Sequence, residues 1–137
     1  MTTSEKNKLV VTRFNKAFIE GGDINVFNEI IHPGFINRTA PPGMPTGPEG
    51  VAYFFNHFLK PAFPDLTVEI QRQVAEGDLV TTHKIFYGTH QADFMGITAT
   101  GKKVTMEIMD IIRLDNEKFL EHWNVVDWQH VIQQLNN

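Results

Sequence analysis

The sequence predicts an α+β fold: a single cone-shaped domain over 1–137, with a strongly curved antiparallel sheet whose helices lie on its concave side and enclose a pocket. Three observations carry this expectation. Apolar residues recur at helical spacing as far as Pro61, and from Leu66 onward they alternate at period two, as in half-buried strands. Helices first and a run of strands after them give one sheet with its helices gathered on one face. Phenylalanine occurs 11 times in 137 residues, and rings of that size suit a shaped apolar cavity as well as a solid core.

The elements follow in order. Ser4 is placed to cap a first helix, whose apolar face carries Val10, Phe14, Ala17 and Phe18 and which Gly21–Gly22 ends. Asp23 caps a shorter helix with Val26, Phe27, Ile30 and Ile31, and Pro33 is expected to stop it. FIN (35–37) reads as a brief strand. TAPPGMPTGPEG (39–50) holds four prolines and three glycines, a rigid loop feeding a third helix with Pro48 in its first turn. That helix carries Val51, Phe54, Phe55, Phe58 and Leu59 and ends near Pro61. LTVEIQRQVA (66–75) and LVTTHKIFY (79–87) are strands about the turn EGD (76–78). GTHQADFMGITATGKK (88–103) reads as an unpacked flap. VTMEIMDIIRL (104–114) and KFLEHWNVV (118–126) form a hairpin about DNE (115–117), and a last short helix starts from Asp127, its expected N-cap.

Composition narrows the function. The formal net charge is −4 and the 12 Lys and Arg form no run. Nucleic-acid binding, which needs a concentrated basic surface, is therefore not expected. No apolar stretch approaches the ~18 residues of a membrane helix, so no membrane partner is expected and the cytoplasm is the default location. The lack of cysteine removes disulfides, thiol nucleophiles and thiolate–metal sites. There is no HExxH or helical HxxxH spacing, no glycine-rich phosphate loop and no GxSxG turn.

The hairpin carries the chemistry. Residues two apart on a strand share a face, so Val104, Met106, Ile108, Asp110 and Ile112 point one way. Only Asp110 is polar among them. This face is expected inward, with a carboxylate in apolar surroundings, which requires either compensation or a function. A three-residue DNE loop sets Ile112 opposite Leu120, Asp110 opposite His122 and Ile108 opposite Asn124, with Glu117 in a left-handed conformation costing about 1 kcal/mol relative to glycine. A two-residue loop instead sets Asp110 against Trp123 and turns His122 outward. The longer loop is preferred because it gathers the polar groups. Asp110, His122 and Asn124 are thus the candidate catalytic residues, although Asp110 and His122 could equally form a structural pair. His90 on the flap is a candidate ligand contact, His32 suits a helix terminus, His57 and His130 suit solvent, and His83 is open. Trp123, Met109, Ile111 and Val125 on the opposite face form an apolar group suited to a homodimer interface.

GGDINVFNEIIHPGFINR (21–38), YGTHQADFMGITATGKKVTMEIMDIIRL (87–114) and EHWNVVDWQHVIQQL (121–135), in that order and spacing, resemble the SnoaL-like polyketide cyclases, or ester cyclases, of the nuclear-transport-factor-two-like superfamily. The resemblance spans nearly the whole chain. It implies the cone, a dimer through the outer sheet face, and no metal or organic cofactor. It also implies intramolecular aldol ring closure, in which a pocket carboxylate removes a proton beside a carbonyl and an acid protonates the acceptor oxygen. A base suits that task when burial raises its pKa toward the working pH. By motif the family's catalytic aspartate falls on Asn124, whose amide cannot take that proton. Asp110 falls where the cyclases can carry a histidine, and Asn37 matches a polar pocket position. Two expectations follow. In one, acid–base duty rests on Asp110 with His122 and Asn124 assisting, on an apolar carbonyl-bearing or polycyclic small molecule. In the other, the cone binds a small apolar ligand without reacting it. Expected ligand contacts in either case are Asn37, Ile108, Phe18, His90 and Phe55.

Overall fold

In the computed structural model, which describes residues 1–137, Thr2 rather than Ser4 caps the first helix by accepting the Glu5 backbone N–H at 3.1 Å. This helix, α1 (Thr3–Arg13), widens into a π-helical stretch over Phe14–Glu20. The wider turn buries adjacent pairs, Phe14 with Asn15 and Phe18 with Ile19, which an ordinary amphipathic stripe would not do. Asp23 caps α2 (Ile24–Ile30) as its position suggests, accepting the N–H groups of Asn25 and Val26. The helix stops before Pro33, which lies inside β1 (Ile31–Asn37). A residue preceding proline favours extended backbone, and Ile31 pairs with Phe119 of a distant strand.

The 39–50 loop leads into α3 (Pro48–Tyr53), which also widens into a π-helical stretch, Phe54–Leu59, and closes with a last turn, α4 (Lys60–Ala62). Gly50 fixes where loop meets helix, since a Cβ there would lie 2.0 Å from the Pro45 carbonyl oxygen.

The strands are β2 (Thr67–Glu76), β3 (Leu79–Thr89), β4 (Lys103–Asp115) and β5 (Lys118–Val126), followed by α5 (Trp128–Asn136), which Asp127 caps through the His130 N–H. The open five-stranded sheet runs β1-β5-β4-β3-β2. β2 to β5 are antiparallel neighbours, as expected; β1 joins β5 in parallel, so the sheet is mixed. Bulges between Ile70 and Arg72 and between Arg113 and Leu114 bend it. The aromatic core fills its inner side, with the Phe14 ring tilted against Phe119 at 4.7 Å and Phe18 against Phe27 at 4.8 Å.

Two further sequence expectations are corrected. The 88–103 segment is packed, not a free flap: Phe94 is buried among Phe58, Phe63 and Trp128, and a small Phe94–Ile97 bridge closes the loop on itself. In the hairpin, Asp115 pairs with Lys118 across a two-residue turn whose residues, Asn116 and Glu117, both have positive φ. The bulge beyond the turn then shifts the pairing once more. Asp110 therefore faces Asn124 and Ile112 faces His122, a register matching neither sequence alternative. Turn and bulge together restore the inward parity of His122 and Asn124. No helix is long and apolar enough to cross a membrane.

Candidate functional site

The curved sheet and the helices over it enclose a cavity of about 580 Å³. Phe14, Ile19, Phe35, Phe55, Ile108 and Ile112 give it apolar walls, while Thr39, Pro41, Pro42 and Met44 of the proline-rich loop form its rim. The polar groups Asn15, Asn37, Lys84, Asp110, His122 and Asn124 also line it.

Asp110 sits mid-strand on β4 with 4% of its surface exposed. Its Oδ2 lies 3.0 Å from the Lys84 Nζ, and its Oδ1 is buried with no hydrogen-bond partner. Lys84 comes from the inward face of β3, donates to the Asn15 Oδ1 at 2.7 Å and lies over the Phe86 ring. Asn15 in turn donates to the Val11 carbonyl, so the helix holds the acceptor that holds the ammonium. Burial, the largest single influence on Asp110, pushes its carboxyl pKa up. The Lys84 charge, His122 and the Lys84 hydrogen bond together outweigh it and hold the group below the usual aspartate range. The expected upward shift of a buried base is thus overturned by a cation that the hairpin analysis did not include. A signal for it was present: Val80, Thr82, Lys84 and Phe86 alternate on one face of β3, and Lys84 is the lone charge there, as Asp110 is on β4.

His122 stands with its Nε2 3.9 Å from the Asp110 Oδ2. That is too long for a direct hydrogen bond, so the imidazole bears on the carboxylate through charge when protonated. Its Nδ1 is 3.0 Å from the Asn37 Oδ1. Asn37 reaches this point because the parallel β1–β5 pairing sets it beside His122. Asn124 accepts the Thr39 hydroxyl at 2.8 Å and returns its own backbone N–H to the same oxygen at 2.9 Å, tying β5 to the rim.

Of the expected ligand contacts, Asn37, Ile108 and Phe55 line the cavity. Phe18 does not. It is buried behind the wall, where its ring supports Phe14 and Phe55. Nor does His90, which the packed loop buries against Phe63, its Nδ1 accepting the Thr100 backbone N–H. His32 accepts the Gly34 N–H in a local turn, and His83 pairs with Glu107 at 2.8 Å. No group of three His, Cys, Asp or Glu side chains gathers closely enough to hold a metal ion.

The family model for SnoaL-like polyketide cyclases matches residues 9–135. The chain belongs to that family. A relative of this SnoaL-like chain, the nogalonic acid methyl ester cyclase of Streptomyces nogalater, is 26% identical over 109 residues, covering 79% of this chain and 81% of the relative. Among solved structures, IdmH of Streptomyces antibioticus, which carries a polyketide cyclase designation, is 29% identical with a TM-score of 0.85, over 96% of this chain and 99% of its own. TsrD of Streptomyces laurentii, at 22% identity, has a TM-score of 0.86 over 98% of both chains and shares the fold.

Proposed function

We propose that this SnoaL-like chain is a cofactor-independent cyclase or isomerase of the cytoplasm, acting by general acid–base chemistry on an apolar, carbonyl-bearing or polycyclic small molecule. The observation that carries the reading is the juxtaposition of the Asp110 carboxylate and the His122 Nε2, 3.9 Å apart, in the wall of a mainly apolar cavity. Ring closure of the aldol type is redox-neutral: one proton leaves carbon, a carbon–carbon bond forms, and one proton reaches oxygen. A carboxylate and an imidazole suffice for that exchange, because the substrate's own carbonyl delocalises the carbanion. The names of the cyclase relatives favour this class.

The expected outcome is that Asp110→Asn lowers turnover by about 100-fold or more with the fold intact. Unchanged turnover in that variant, with circular dichroism as the fold control, would remove Asp110 from the mechanism.

A second reading, a binding module without turnover, is favoured by Asn124 at the family's aspartate position and by Asp110 being held in an ion pair. Under it, a small apolar molecule is retained in native mass spectrometry of the freshly purified protein and is never converted. Asn124→Asp separates the two. The new carboxylate would face Asp110 across the strands, and like charges there raise one of the two pKa values toward a useful base. Activity arising only in that variant supports the binding reading.

We also propose that two copies associate through the outer sheet face.

A further inference from the structure

The geometry points to the His122 Nε2 as the atom that takes the substrate proton, with Asn37 as the positioning residue that keeps that nitrogen bare. The inference rests on the acid–base reading above and names its acceptor.

Neutral imidazole carries one N–H, and the bond made by the other nitrogen decides which one. Here Nδ1 faces the Asn37 Oδ1 at 3.0 Å. The identity of that atom is itself fixed, since the same oxygen accepts the Thr39 backbone N–H at 3.2 Å. Turning the amide over would set its NH₂ against that backbone donor. Oδ1 can only accept, so Nδ1 must carry the proton. Nε2 is left with a lone pair on the cavity side, facing the Asp110 Oδ2 at 3.9 Å.

Asp110 is the poorer acceptor of the two. Lys84, salt-bridged to it and anchored by Asn15, holds its proton affinity down. What the carboxylate does well is reward a positive charge on His122. It has nothing to attract while the imidazole is neutral, and it stabilises the imidazolium once a proton arrives. Such help is larger in the charged state than in the resting one, the kind that lowers a barrier. In the proposed step, Nε2 takes the proton from carbon beside the carbonyl, and the C–H electron pair becomes the enolate. The enolate carbon attacks the acceptor carbonyl, whose π pair moves to its oxygen. That oxygen takes the proton from Nε2, returning the neutral imidazole.

The tautomer can be read without any substrate, by long-range ¹H–¹⁵N correlation of the histidine rings at a pH where His122 is neutral. The expected result is a protonated Nδ1 and a bare Nε2. Asn37→Leu should shift His122 toward the Nε2–H form, and Asn37→Asp, which keeps an acceptor oxygen, should restore the wild-type pattern. A protonated Nε2 in the wild-type protein overturns the inference, and so does an Asn37→Leu spectrum identical to wild type. The acceptor role is read with 5-nitrobenzisoxazole, a flat apolar carbon acid that a base opens. His122→Gln should slow it at least 10-fold and Asn37→Leu should lower kcat with KM held; no loss in His122→Gln overturns the role. The acid–base reading fails separately, if the wild-type protein opens 5-nitrobenzisoxazole no faster than buffer while the His122 tautomer is as expected.

Discussion

At the scale of single residues, the site is organised by one buried ion pair. Removing one partner of such a pair leaves an uncompensated charge, at a cost of about 3–5 kcal/mol. Lys84→Met is therefore expected to destabilise the protein by that order, and to reverse the pH dependence that Asp110 contributes. In the wild-type chain the folded pKa of Asp110 lies below its unfolded value of about 4. Its contribution to stability is then complete above that value and is lost as pH falls through the lower, folded one. Without Lys84, burial dominates and the folded pKa rises above the unfolded one. Stability should then fall as pH increases upward from about 4. Urea midpoints between pH 4 and 7 distinguish the two slopes, and a Lys84→Met protein that gains stability across that range would contradict the account. The pair also explains why Asp110 looked more basic in the sequence than it is in the fold. A carboxylate on an apolar strand can be recognised from alternation alone, whereas its compensating cation lies on a different strand, 26 positions earlier in the chain numbering.

At the scale of elements, local signals were legible where local physics decides. Asp23 and Asp127 cap the helices their positions suggest, and the even face of β4 is buried from Val104 to Ile112. The register of the β4–β5 hairpin was not legible, because it depends on a two-residue turn followed by a bulge, and each alone would have turned His122 outward. β1 was legible as the brief strand FIN (35–37), but its start at Ile31 and its parallel partner, more than 80 residues away, were not. That distant pairing brings Asn37 to His122, so the least legible contact also completes the candidate site. The 88–103 loop was misread because its polar residues mask two buried anchors, His90 and Phe94. The tight turn itself carries a prediction. Asn116 and Glu117 have φ of 51° and 62°, a pattern whose second position favours glycine. Glu117→Gly should relieve left-handed strain and raise stability by about 1 kcal/mol, less the backbone entropy that glycine loses on folding. A thermal midpoint unchanged or lowered in that variant would mean that the bulge, not the turn, sets the register.

At the scale of the whole molecule, the sheet has two unlike faces. The inner one is filled by aromatic rings and the cavity; the outer one exposes Met109, Ile111 and Val125, the last at 74%. Strand pairing sets these side by side: Met109 lies opposite Val125, and Ile111 opposite the half-buried Trp123. Around this apolar centre stand polar and charged pairs, His83 with Glu107 and Arg113 with Glu121. An apolar centre inside a polar rim is how protein interfaces are commonly built, and a face of this kind can meet its own copy about a twofold axis. The proposed dimer should therefore show a solution mass twice the 15.6 kDa of the chain. Val125→Lys, with Ile111→Lys added if one charge is tolerated, should return it to the single-chain mass by placing like charges near the axis. Strand alternation sends both side chains to the face opposite Asp110 and His122, although the Val125 residue also borders the cavity, so Ile111→Lys alone should leave the His122 tautomer unaffected. A wild-type mass of one chain at micromolar concentration would remove the dimer while leaving the fold and its cavity as described.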